Sequence, residues 1–227
     1  MRVGILQPGY LPWLGFFEQV YRCDVFVLYD DVQFDKNSWR NRNRIKTPDG
    51  PLWLTVPVSH RGHTLQTLLE TKISEKKRWR RKHLNSIKTY YGKAPYFDRY
   101  IEDLTRFYQQ EWSYLVDLDI ALINYFLKEL GITTPILRSS ELGIPGKKTD
   151  RLIAICKSLG ATAFYEGAAG RNYIEEEKFR QAGIELEYQD YQHPVYPQLY
   201  GEFIPYLSVI DLMFNCGEES LKIIVGK

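Results

Sequence analysis

Arg2 to Leu6 (RVGIL) is a short β-leaning run, Trp13 to Tyr21 carry apolar residues at helical spacing, and Val25 to Tyr29 form a second apolar run. Strand, helix and strand within about 30 residues is the length of a right-handed βαβ unit. No other feature of the chain narrows its fold as far. A βαβ unit commits the chain to a parallel sheet with helices packed on its faces.

The rest of the chain repeats this alternation with one interruption. Residues 38–58 alternate polar and apolar around the turn signal Pro48-Asp49-Gly50 and end in LWLTVPV, which predicts a β-hairpin insertion over about 36–60. A helical segment follows over 74–130: Ser74 is placed to cap a helix to about Tyr91, with Trp79, His83, Leu84, Ile87 and Tyr90 or Tyr91 on one face. Helices are expected near 95–110 and 113–130, the second apolar on most of its circumference and ended by Gly131. TPILRSS, KTDRLIAICKSLG, ATAFYEG, IEEEKFRQAG and IELEYQD then read as strand, helix, strand, helix and strand. Ser208 caps a last short helix with Ile210, Met213 and Phe214. The reading is α/β: a Rossmann-like, open and mainly parallel sheet in one composite domain over residues 1–227.

Composition excludes several classes. With 227 residues, 44% of them hydrophobic, the chain can bury a full core, so disorder is excluded. A formal charge of +2 does not announce a nucleic-acid binder. Gln7, Pro8, Pro12 and Glu18 interrupt what would have to be a signal core, and no run of about 18 apolar residues occurs. Cys23, Cys156 and Cys216 stand far apart beside apolar residues, which suits reduced thiols in the cytoplasm. His60 and His63 have the spacing of two metal ligands but no nearby third, so no metal site is expected.

In open α/β sheets, ligands sit beyond the carboxyl ends of the strands. The first such loop holds Gln7, Tyr10 and Trp13, stiffened by prolines, with a helix start that can face an anion; it reads equally as a turn packing its aromatics inward. Asp30, Asp31 and Gln33 leave the second strand on the same edge, followed by Arg42, Asn43 and Arg44. Arginine forks bind phosphate, and amides read sugar hydroxyls or base edges. As a charge run alone this segment would be a solvated hairpin; its place beyond a strand favours binding. GIPGKKTDRL brings Lys147, Lys148 and a capping Thr149 to a helix start without P-loop spacing, and EGAAGRNY brings Gly167, Gly170, Arg171 and Tyr173. Three such loops on one edge point to a phosphate-bearing small molecule. His193, with Tyr196 and Gln198 nearby, is a candidate general base, as is Asp31. Asp211 and Asn215 either face the same cleft or tie the C-terminal segment down. The basic run KKRWRRKHL reads as a solvated face, with nucleic-acid binding as the lesser alternative.

ILQPGYLPWLGFFEQV, DDVQF, SWRNRNRIK, WLTVPV, KTDRLIAICKSLGA and HPVYPQLYGEFIPYLSVIDLMFNCG together resemble the WbqC-like family, in six blocks in order over nearly the whole chain. The resemblance implies a transferase acting on a nucleotide-linked amino sugar, by acyl or aminoacyl transfer, in surface-polysaccharide (O-antigen) biosynthesis. The alternative is a non-catalytic accessory protein that binds a nucleotide sugar or RNA. It names no cofactor. Glu166 departs from the expected pattern, standing where a smaller residue such as serine would be expected.

Overall fold

The computed structural model describes residues 1–35, 38–59, 66–74 and 78–226. His60 and His63, and Lys76 and Lys77 of the basic run, lie outside them. Five strands, β1 (Arg2–Leu6), β2 (Val25–Leu28), β5 (Ile136–Arg138), β6 (Ala163–Glu166) and β7 (Glu185–Tyr188), pair in parallel in the order β5-β2-β1-β6-β7. The intervening β3 (Arg42–Thr47) and β4 (Gly50–Thr55) form a separate antiparallel hairpin with Arg44 opposite Trp53. The fold is therefore the expected α/β sheet with a hairpin inserted after its second strand.

The sheet separates two apolar cores. One face carries Val3, Ile5, Val27 and Phe164, covered by α6 (Lys148–Ser158) and α7 (Glu176–Gln181) through Leu152, Ile155, Cys156 and Phe179. The other packs on α1 (Leu14–Tyr21), with α2 (Trp79–Tyr91), α3 (Phe97–Gln109), α4 (Leu115–Leu130) and α8 (Val209–Cys216) extending the core away from the sheet. Burial on both faces explains why β1 and β2 read as apolar runs without alternation. Short helices α5 (Ser139–Leu142) and α9 (Ser220–Val225) complete the order.

Two helix starts differ from expectation. α2 begins at Trp79, after Arg78 at φ 46°, and Ser74 instead donates its amide to Pro57 O at 2.8 Å. Trp79, His83, Ile87 and Tyr91 form the buried face, while Leu84 is partly buried. In α6 the N-cap is Lys147, and Thr149 lies inside the first turn, where its hydroxyl accepts from the Glu175 amide at 3.2 Å. Thr149 thereby ties α6 to α7. Gly131 ends α4 at φ 71°, and Ser208 accepts from the Ile210 amide at the start of α8, both as read from the sequence. Among the described residues no helix is long and apolar enough to cross a membrane.

Candidate functional site

The chain builds β1, β2 and β5 outward in one direction, then returns to add β6 and β7 on the other side of β1. The switch point lies between the carboxyl ends of β1 and β6, where consecutive connections leave toward opposite faces, the place at which open α/β sheets bind their ligands. Alternation along the strands puts Gln7, Tyr29 and Glu166, which follow Ile5, Val27 and Phe164, on the α6 side of that edge.

Glu166 is 3% exposed. Its Oε1 accepts from the Gly167 amide at 3.0 Å and from the Tyr173 hydroxyl at 3.2 Å. Burial pushes its carboxyl up to about 7, against the pull of those two donors. Gly170 allows this arrangement: a Cβ there would lie 2.3 Å from Glu166 Cγ. The Tyr173 ring, by contrast, is 60% exposed, so its hydroxyl connects a buried carboxyl to the surface.

Arg40 comes from the turn before the hairpin. Its Nη1 donates to Gln7 O at 2.6 Å and Pro8 O at 3.3 Å, and the Tyr10 amide returns bonds to the Trp39 and Arg40 carbonyls. Gly9 permits this contact, since a Cβ there would meet Trp39 O at 2.8 Å. Burial lowers the Arg40 pKa, opposed by attraction to Asp119, Asp35 and Tyr173. Asp119, on α4, is fully buried, neither carboxyl oxygen has a hydrogen-bond partner among the described residues, and burial raises its pKa far above the carboxylate range. Gln7 Oε1 is likewise buried without a partner among the described residues. Tyr173 thus connects the two groups: its hydroxyl donates to the buried Glu166 carboxyl, and the Arg40 guanidinium acts electrostatically on that same hydroxyl.

Beside this group stands a bonded acidic pair. Asp30 is fully buried and accepts from Arg138 Nε at 2.7 Å, the Ser140 amide at 2.9 Å and the Ser140 hydroxyl at 2.8 Å. Asp31 accepts from Arg151 Nη2 at 2.5 Å and the Ser139 hydroxyl at 2.6 Å. Burial raises the Asp31 pKa, but these bonds outweigh it and hold the carboxyl below its usual range. Asp31 is an ionised partner of Arg151, a poor proton acceptor at neutral pH.

The remaining sequence-selected residues fall into separate groups. Tyr10 is fully buried, its hydroxyl shared with His83 Nδ1 at 2.9 Å and the Tyr108 hydroxyl at 2.5 Å. The Trp13 indole lies over Gly15, covering the first turn of α1, and stacks on His193 with ring centroids 6.4 Å apart. His193 Nε2 accepts from the Tyr206 amide at 3.1 Å, which leaves Nδ1 to donate to Pro194 O at 2.9 Å. Burial lowers its pKa, and both ring nitrogens are engaged. Tyr196 and Gln198 donate to Asp211 at 2.9 and 2.8 Å, and Tyr91 adds a third bond at 2.7 Å, so Asp211 ties the C-terminal segment down. Asn43 donates to Leu11 O at 2.6 Å, Gln33 pairs with Thr67 in an isolated bridge, and Arg171 lies over the Tyr188 ring at 4.2 Å. Lys147 and Lys148 are exposed at the start of α6, and Arg42 and Arg44 stand on the outer hairpin face.

Sequence reasoning noted Glu166 only as a departure from the expected pattern, gave Arg40 of the basic run no role of its own, and passed over Asp119. Glu166 and Asp119 each left a signal: a carboxylate ending an apolar strand immediately before glycine, and an aspartate on a helix otherwise apolar around most of its circumference.

The family described as the WbqC-like protein family matches residues 7–223. The "uncharacterized protein Rv1507c" of Mycobacterium tuberculosis (strain ATCC 25618 / H37Rv) is 36% identical over 221 residues, covering 96% of this chain and 95% of its own length. No solved structure matches the chain significantly. With a match over nearly its full length, the chain belongs to the WbqC-like protein family.

Proposed function

We propose that the protein is a cytoplasmic transferase that moves an acyl or aminoacyl group onto the amine of a nucleotide-linked sugar in surface-polysaccharide biosynthesis, acting as one composite domain. The observation that carries this reading is the Glu166 carboxyl, buried at the switch point and pushed up to about 7. A general base works best with a pKa near the operating pH. The acceptor amine attacks the carbonyl carbon of an activated ester or thioester; the C–N bond forms and the C–O or C–S bond breaks. The amine's proton passes through the Tyr173 hydroxyl to Glu166, which returns it to the departing oxygen or sulfur. Arg40 supplies positive charge that acts on the Tyr173 hydroxyl. The sequence-selected bases, Asp31 and His193, hold their own partners and take no part in the proton transfer in this scheme. Three buried cysteines, all free, suit a reducing compartment.

The test is mass-spectrometric detection of amide product from a panel of nucleotide-linked amino sugars with acyl-coenzyme A and aminoacyl donors. Wild-type protein is expected to form product, and Glu166→Gln to form it about a hundredfold or more slowly. No product across the panel, or full activity in Glu166→Gln, would contradict the reading.

A further inference from the structure

The hairpin and the turn that precedes it each present a tryptophan outward. Trp39 and Trp53 are 44% and 42% exposed, with ring centroids 5.2 Å apart. Arg42 lies over the Trp53 ring at 4.4 Å, and Arg44 stands 5.6 Å from Trp53 and 5.7 Å from Trp39. Arg44 is opposite Trp53 in the hairpin register, and its Nη2 donates to Tyr206 O at 3.2 Å. Among the described residues neither arginine forms a salt bridge. Large apolar side chains left at the surface are informative when they cluster, and here they cluster with two arginines that form no ion pair among the described residues.

Tryptophan and guanidinium planes stack on flat rings, and arginine forks hold phosphate oxygens. A ligand that satisfies both carries a planar ring and at least two negative charges. The platform also borders the switch point: the Trp39 carbonyl receives the Tyr10 amide of the first loop, and the next residue is Arg40, bonded to the end of β1. We infer that Trp39, Trp53, Arg42 and Arg44 form the subsite for a nucleoside diphosphate, with the base on the tryptophans and the diphosphate on the arginines. This rests on the transferase reading, for which it supplies the anchor of the unreacting half of the substrate.

Binding is measured directly, so that its outcome is separate from that of catalysis. The 227-residue chain is titrated with UDP, dTDP, GDP, ADP, inorganic pyrophosphate and a short oligoribonucleotide by calorimetry and by tryptophan fluorescence. At least one nucleoside diphosphate is expected to bind, quench the emission, and exceed pyrophosphate in affinity. Trp39→Ala, an exposed position outside the hairpin strands, and Arg44→Ala should each weaken it about tenfold. Glu166→Gln should bind as wild type does. Absence of binding by all four nucleotides, unchanged affinity in Trp39→Ala and Arg44→Ala, or tighter binding of a short oligoribonucleotide would each overturn the subsite. Binding as expected without turnover would leave the subsite standing and remove the transferase reading alone.

Discussion

The Tyr173 hydroxyl donates to Glu166 Oε1 across 3.2 Å, joining a ring that is 60% exposed to a carboxyl that is 3% exposed. The pair sits where β6 ends, one strand from the carbonyls held by Arg40. Its chemistry depends on the carboxyl remaining buried beside that hydroxyl, whose own pKa is raised by burial and by the neighbouring Glu166.

Gly170 keeps that geometry open. In Gly170→Ala the new methyl would collide with Glu166 Cγ at 2.3 Å and crowd Ile174 at 3.1 Å, in a backbone conformation that other residues can adopt. The expected cost is about 1–3 kcal/mol in denaturant unfolding, with loss of the Tyr173–Glu166 bond. Unchanged stability would mean that the loop gives way without strain.

Glu166 should also shape stability against pH. Its folded pKa, about 7, lies above the ordinary 4.5, so the folded state binds the proton more tightly than the unfolded chain. The stabilisation is fully present below 4.5 and is lost as pH rises through 7, a swing of roughly 3 kcal/mol. Glu166→Gln should abolish this loss. His83 acts in the opposite sense: burial lowers its pKa from 6.5 to about 4, so its contribution is present above 6.5 and is lost as pH falls toward 4. Unfolding midpoints of wild type, Glu166→Gln and His83→Asn from pH 4 to 8 separate the two, and a parallel loss between pH 4.5 and 7 in wild type and Glu166→Gln would contradict the first.

Asp211 receives three hydrogen bonds while fully buried. Asp211→Ala would leave the buried Tyr91 and Tyr196 hydroxyls without their acceptor and remove a bond from the half-buried Gln198, at a cost of about 3–5 kcal/mol, whereas Asp211→Asn keeps part of the network and should cost less. Equal losses in the two variants would show that packing, not hydrogen bonding, sets the stability here.

His193 tests the division between structural and chemical roles. His193→Phe retains a ring against Trp13, Tyr196 and Tyr206 but removes the bonds to Pro194 and Tyr206. About 1 kcal/mol of stability should be lost, with the titration of Glu166 unmoved. A shifted Glu166 titration would connect the two regions.

Much of the fold was legible because its signals are local. RVGIL, VFVL and AFYE are apolar runs of strand length, Pro48-Asp49-Gly50 marks the hairpin turn, and Gly131 stops α4. The site was less legible. Asp31, Tyr196 and Gln198 have the residue types of a binding site, yet Arg151 and Asp211, distant in sequence, already hold them. Glu166 looked like an irregularity because its elevated pKa comes from burial under a loop that only the folded chain assembles.

The most direct measurement is the titration of glutamate side chains by carbon-13 NMR in wild type and Glu166→Gln, which requires no substrate. One carboxyl should titrate near 7 and disappear in the variant. If every glutamate titrates in the ordinary range near 4–5, Glu166 is no general base and the proposed chemistry fails.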